Sequence, residues 1–532
     1  MVSTNQSLVK TDDALLPAVR RSKKTREGRA RSRQKKRPFK VTDTSFPPFK
    51  TWHGVLIFIA IPVGMLLLAK LLGTHVPRPM LYGVASVMGF YLVLRSFYSV
   101  ELVLAVAIIY LPFSKTFVIP IAPGLNGTNV FLVLVLLAGF FQAQRNRTSL
   151  VQMLPGSKVV FGFAALSAFS AVTLTLRPGG FDYFLDDIWA IYKAWLDQFI
   201  LYFVALSVIR DRDVAKRVVL YVAIGSMLVA LYSVQEMFEK MGVSNIDKAR
   251  VGGPHMQPNN FGGFVAYTMI PIIALFVVYI NRIKAWLITP YLLLALKLLI
   301  TSFSRGAYLA MALSGLLTGY LRGKSFVFFW LSLGLVVMLM FPSLIPESIV
   351  ARMSSTEKAV STTDQQLDKS SQTRLIMWEA AIEMTGENPI FGKGFKAFPL
   401  LKSQYTDSNV VESDPHSMYF YISSQMGIPA LVFFLLMLMN LFEMGRKLSR
   451  KTDDKFVRAV GIGGAGVAAS MAIINIFGSR FVNIDFTCYF MVFYVVVQFF
   501  FKEMLDKESE EKKNRKKRRR FPKPVYQEPE VT

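Results

Sequence analysis

The chain has 532 residues, of which 53% are hydrophobic, and 61 lysines and arginines against 35 aspartates and glutamates give it a formal charge of +26. Many apolar runs reach the roughly 18 residues that cross a bilayer, which excludes a soluble globular protein and leaves a bundle of helices, whose backbone polar groups are satisfied internally. The single cysteine, Cys488, lies in a late apolar run, excludes an intramolecular disulfide and reads as a small packing residue.

Residues 1–50 form a basic tail around "RRSKKTREGRARSRQKKRPFK", and residues 503–532 form a second one containing "KKNRKKRRR". Both are polar and low in complexity, so they are expected to be disordered and to touch anionic lipid rather than nucleic acid. The basic stretch is too long for a signal peptide. Between the tails, apolar spans fall near 52–73, 79–94, 99–116, 126–143, 158–176, 194–210, 214–235, 260–281, 284–301, 304–321, 325–344, 416–443, 457–477 and 482–501. Every second connection is basic: "RSFYS", "QRNR", "RDRDVAKR", "NRIK", "LRGK" and "GRKLSRKTDDK". The expected fold is therefore an all-α integral membrane protein of about 14 transmembrane helices, with both termini cytoplasmic. Its parts are an N-terminal set of helices over 51–190, a second set over 191–344, a large periplasmic loop over 345–415 and a C-terminal set over 416–502.

The face opposite the basic loops carries the chemistry. Its large loop opens with "SSTEKAVSTTDQQLDKSS" and continues as "SQTRLIMWEAAIEM", whose spacing places Leu375, Trp378 and Ile382 on one face of a helix that ends at "GENP". Such a helix suits a membrane surface. "FGKGF" follows and reads as a structural glycine turn, since the strand and helix of a phosphate loop are missing. Three cationic or titratable residues stand where spans meet this face: Arg250 in "KARVGGPHMQPNNFGGF", Arg305 in "TSFSRGAYLA" and His416 in "DPHSMYFYISSQMGIPAL". Charges near hydrocarbon are costly, about 2.5–3.5 kcal/mol at a helix centre, so each snorkels or has a partner. Arginine binds phosphate in a fork, and Asn259 and Asn260 are placed to cap a helix whose positive end also favours an anion.

Together "ARVGGPHMQPNNFGGF", "TSFSRGAYLAMALSG", "RLIMWEAAIEMTGENPIFGKGF" and "DPHSMYFYISSQMGIPAL", over about residues 190–445, resemble the O-antigen ligase and polysaccharide polymerase superfamily of bacterial envelopes. The resemblance implies a GT-C-like helical bundle in the bacterial inner membrane. It also implies transfer of a glycan from a polyprenyl pyrophosphate carrier to a lipid or glycan acceptor on the periplasmic side. It carries Arg250, Arg305 and His416 onto functional positions, and Arg374 and Trp378 onto a loop motif; the long basic N-terminal extension has no counterpart in it. On this reading Arg250 and Arg305 stabilise the charge growing on the departing pyrophosphate. His416 takes the acceptor's proton, or else holds the diphosphate or acceptor. Asp414 is placed to orient His416, and Ser417 to cap the following helix. A single displacement with inversion is expected, with no metal and no cofactor; other polysaccharide-assembly proteins are possible partners.

The remaining candidates weigh less. His53 and His75 read as interfacial, and His255 competes with His416 as the base. Asp182, Asp186 and Asp187 in "FDYFLDD" are either a divalent-cation site or a solvated loop, and Arg480 adds positive potential. A lipid-linked glycan flippase is the alternative from another class, but no repeat relates the two halves and the charges gather on one face. Ligase and polymerase are not separable from the sequence.

Overall fold

In the computed structural model the described residues are 87–95, 98–117, 126–243, 245–328, 331–332, 369–406 and 414–520. The N-terminal tail, the span at 52–73, His53, His75 and most of the span at 325–344 lie outside them, as does the first part of the large loop. The described residues hold helices and no strand. A short helix, α1, covers 87–95, and the longer ones are α2 Val100–Tyr110, α3 Gly127–Asn146, α4 Ser157–Thr175, α5 Trp189–Val208, α6 Arg212–Glu239, α7 Pro258–Tyr279, α8 Thr289–Thr301, α9 Arg305–Arg322, α10 Lys369–Glu387, α11 Met418–Met426, α12 Ile428–Lys451, α13 Lys455–Ile474 and α14 Ile484–Arg520.

Among the described residues nine helical stretches are long and apolar enough to cross a membrane, the most deeply packed being Pro258–Tyr279, Lys455–Ile474 and Ile484–Lys516. These are α7, α13 and most of α14. Around them α7, α9, α12 and α13 pack on one another. Without a hydrophobic drive between helices in lipid, close backbone approach has to supply the contact energy. The run "GIGGAG" in α13 permits it: a Cβ on Gly461 would lie 2.7 Å from Ser449 N of α12, and one on Gly445 of α12 would lie 2.5 Å from Ala465 N.

Three expectations change. The span read at 416–443 is two helices, α11 and α12, broken at Gly427, whose φ of 89° no other residue adopts easily. The apolar pattern runs straight through the break, because the "FGKGF" turn fills it. Lys393 N donates to Ser424 O at 2.8 Å, Gly394 N to Gln425 O at 2.9 Å, and Ile428 N to Pro389 O at 2.7 Å. Irregular backbone at such a position is tolerated because it is buried in protein and its polar groups are paired. The turn is thus structural, as read. Second, α10 buries Met377, Ala380, Ala381 and Met384 against Phe398, while Leu375 and Ile382 stay exposed on the side expected to meet lipid. Trp378 leaves that side: its indole lies 5.3 Å from the Phe420 ring, tilted by 36°, and donates to Pro415 O at 2.8 Å. Third, α14 continues as helix through residues 503–520, where a tail without regular structure was expected.

Candidate active site

The loop between α6 and α7 positions Arg250. In the last turn of α6, Glu236 accepts from Gly252 N at 3.1 Å and Gly253 N at 2.7 Å. Lys240 bridges Glu236 Oε1 and Arg250 O, both at 2.6 Å. Val251 N donates to Thr301 O at 3.0 Å, pinning the loop to the end of α8. So fixed, the Arg250 fork donates from Nε to Ser302 O at 3.2 Å and from Nη2 to Asn259 Oδ1. Asn259 therefore serves the arginine rather than capping α7, whose N-cap is Gln257.

Arg305 is the first residue of α9, after a tight turn in which Phe303 takes a φ of 49°. A bulky residue held there is strained by about 1–3 kcal/mol, and such strain concentrates at functional sites. Ser304, 1% exposed, leaves its hydroxyl without a partner. Arg374 comes from α10 and Arg480 from the 3-10 turn Arg480–Val482 between α13 and α14. These four arginines, with Asn259, Ser304, Phe303 and Phe477, line one cavity of about 330 Å³. No acid among the described residues lines it. The N-terminus of α9 opens there too, and its dipole adds positive potential.

Arg480 is the unusual member. It is 2% exposed, and its Nε and Nη1 have no hydrogen-bond partner. Burial, then the charges of Arg374 and Arg250, pushes its guanidinium down to about 9. Room for it comes from the glycine pair of "NNFGGF": a Cβ on Gly263 would lie 2.8 Å from Arg480 Nη1. The glycine of "SRGAY" does likewise for Phe477, which a Cβ on Gly306 would meet at 3.0 Å. Gly263→Ala is thus expected to displace Arg480 and weaken anion binding while helix content, read by circular dichroism, stays unchanged.

His416 does not line the cavity, but it is fastened to its rim. Its φ is 52°, and its own N–H donates to Asp414 Oδ1 at 2.8 Å. The same oxygen accepts from Ser479 Oγ at 2.6 Å, one residue from Arg480. Met418 N donates to Asn475 O at 2.8 Å, and Trp378, one turn beyond Arg374, holds Pro415. Asp414 thus orients the histidine through the backbone and not through its ring. Ser417 is the N-cap of α11 but makes no side-chain cap. His255 is exposed and not among the cavity residues. Asp182, Asp186 and Asp187 are exposed on the helical segment leading into α5, and no group of three metal-ligating side chains occurs among the described residues.

Residues 290–435 match the family model of the O-antigen ligase. The matched segment holds Arg305, Arg374, Trp378, Asp414 and His416, whereas Arg250, Asn259 and Arg480 reach the same place from outside it. The resemblance to the O-antigen ligase and polysaccharide polymerase superfamily is borne out over this segment, and the apolar helices make the chain a multi-pass membrane protein. The comparison with curated proteins gave no match. Reasoning from the sequence did not single out Arg480 as a site residue, and it missed Glu236, Lys240, Ser302 and Ser479 entirely. One signal for Arg480 was available: an arginine set alone among apolar residues in "IFGSRFV".

Proposed function

We propose that the protein is an inner-membrane glycosyltransferase that moves a glycan from a polyprenyl pyrophosphate carrier to a periplasmic acceptor. The observation that carries this reading is the cavity of four arginines in which Arg480 is buried and two of its nitrogens lack partners. A buried charge without a partner is retained where a ligand completes it, and a diphosphate supplies the charge and the acceptor oxygens.

Arg250, Arg305, Arg374 and Arg480 hold the carrier's pyrophosphate. They bind it more strongly as charge accumulates on it during cleavage of the glycosidic bond, which is the condition for rate enhancement. The acceptor hydroxyl attacks the anomeric carbon from the opposite side, giving inversion in one displacement. His416, on the rim and held by Asp414, takes the acceptor's proton. Diphosphate is a good leaving group, so no general acid is needed.

Arg250→Ala and Arg305→Ala are each expected to remove most transfer from purified, lipid-reconstituted protein while insertion is retained. Lysine at either position restores part of it, because a point charge does not reproduce a two-pronged contact. Near-normal transfer by both alanine variants would place the pyrophosphate elsewhere. Anion affinity is also expected to fall as pH rises through about 9, where burial and the neighbouring arginines let the empty protein's Arg480 give up its proton; a flat profile from pH 7 to 10, a range set around that value, would mean that Arg480 keeps its charge there. For orientation, a reporter fused near Ser370 should be periplasmic and one near Lys455 cytoplasmic. A cytoplasmic Ser370 fusion would overturn the placement of His416.

A further inference from the structure

A second cationic cavity lies at the other end of the helices that build the first. Helix α9 starts with Arg305 in the arginine cavity and ends with Arg322, about 26 Å away at the rise of an α-helix. Arg322 lines a cavity of about 240 Å³ with Arg282, Lys455 and Arg458, and among the described residues a single acid, Asp453, faces these four cations. Two of the arginines are held by backbone. Arg322 Nε donates to Val277 O at 3.1 Å and Arg458 Nη2 to Arg322 O at 3.2 Å, while Arg458 Nε is buried without a partner.

The neighbouring cavity shows what a self-neutralised surface looks like here. It holds about 650 Å³ and shares Thr452 and Asp453, yet its cations Arg212, Lys451 and Lys507 face five acids. They close into ion pairs, among them Arg212–Glu503 at 2.6 Å, Lys451–Glu508 at 2.9 Å and Lys507–Glu503 at 3.3 Å. Among the described residues nothing comparable neutralises the smaller cavity. Its flank is apolar instead: immediately after Arg282, Ile283 and Leu287 are 83% and 81% exposed, and the indole of Trp286 donates to Ile280 O at 3.0 Å. A cation cluster beside an exposed apolar shoulder and an interfacial tryptophan meets headgroup and acyl chain together.

We infer that Arg282, Arg322, Lys455 and Arg458 form a binding site for the phosphate headgroup of an anionic phospholipid, on the membrane face opposite the arginine cavity. The lipid's phosphate takes the arginine donors and its chains lie along Ile283 and Leu287. The apolar shoulder favours a lipid over free phosphate, which has no use for it.

The test is thermal unfolding of the full chain in detergent, titrated separately with phosphatidylglycerol, phosphatidylcholine and inorganic phosphate. Phosphatidylglycerol is expected to raise the melting temperature saturably, and the other two are not. The double variant Arg282→Gln/Arg458→Gln should bind phosphatidylglycerol about 10- to 100-fold more weakly, the loss of one or two charge-assisted contacts. Asp453→Asn, which removes the one opposing acid, should bind it more tightly. Wild-type affinity in a double variant that melts normally in phosphatidylcholine would overturn the site. So would unchanged affinity in Asp453→Asn, which decides the matter if the double variant does not fold. Saturable stabilisation by inorganic phosphate that is lost in the same variants would refute the lipid as the ligand.

Discussion

Replacing Arg480 with methionine is expected to abolish transfer and, at the same time, to make the empty protein more stable. Methionine fills the same volume without a charge. A buried ion lacking full compensation costs several kcal/mol, and apolar replacement of buried ionic groups has stabilised proteins by about 1–4 kcal/mol. Arg480 is 2% exposed, leaves two nitrogens without partners and sits beside Arg250 and Arg374, so it is close to that limit. The sign with pH follows from its lowered value. Folding disfavours the protonated guanidinium, so the cost stands in full below about 9 and relaxes above it, where the unfolded chain alone keeps the proton. The stability gap between wild type and Arg480→Met should therefore narrow above pH 9, a threshold set by that value. Thermal unfolding in lipid nanodiscs from pH 7 to 10, read beside transfer assays, gives both results. A variant that is less stable and still active would mean that Arg480 is structural.

Removing His416 is expected to slow transfer by about 10²–10⁴-fold, the usual worth of a positioned general base, while carrier binding survives. Asp414 bonds the His416 backbone and Ser479 but not the ring, so Asp414→Asn should cost less than His416→Ala. If the histidine instead holds diphosphate, His416→Ala weakens carrier binding and His416→Arg restores activity. Transfer rates and carrier affinities of these variants, with His255→Ala alongside, separate the two roles. Full activity in His416→Ala with loss in His255→Ala would move the base to the Arg250 loop.

What the sequence discloses follows from which physical quantity a linear pattern encodes. Arg250 and Arg305 are legible because each sits in a polar or glycine-rich stretch at the mouth of a span, and Arg374 only through the resemblance of its loop motif. Arg480 reads only as added potential, because the room for its side chain is made by Gly263 of α7, far away in the chain. The packed face of α10 was hidden because alanine and methionine carry less hydropathy than Leu375 and Ile382, yet Ala380 and Ala381 allow the closest approach. The break at Gly427 was hidden because hydropathy is continuous across it. The turn that fills it comes from a distant segment.

The most direct measurement is equilibrium binding of a short polyprenyl diphosphate to the full chain in nanodiscs, against the matching monophosphate, for wild type and Arg250→Ala/Arg305→Ala. If the arginine cavity is the pyrophosphate site, wild type binds the diphosphate saturably and more tightly than the monophosphate, and the double variant loses at least about 100-fold, one charge-assisted contact per arginine. Equal affinity of wild type and double variant for the diphosphate would contradict it.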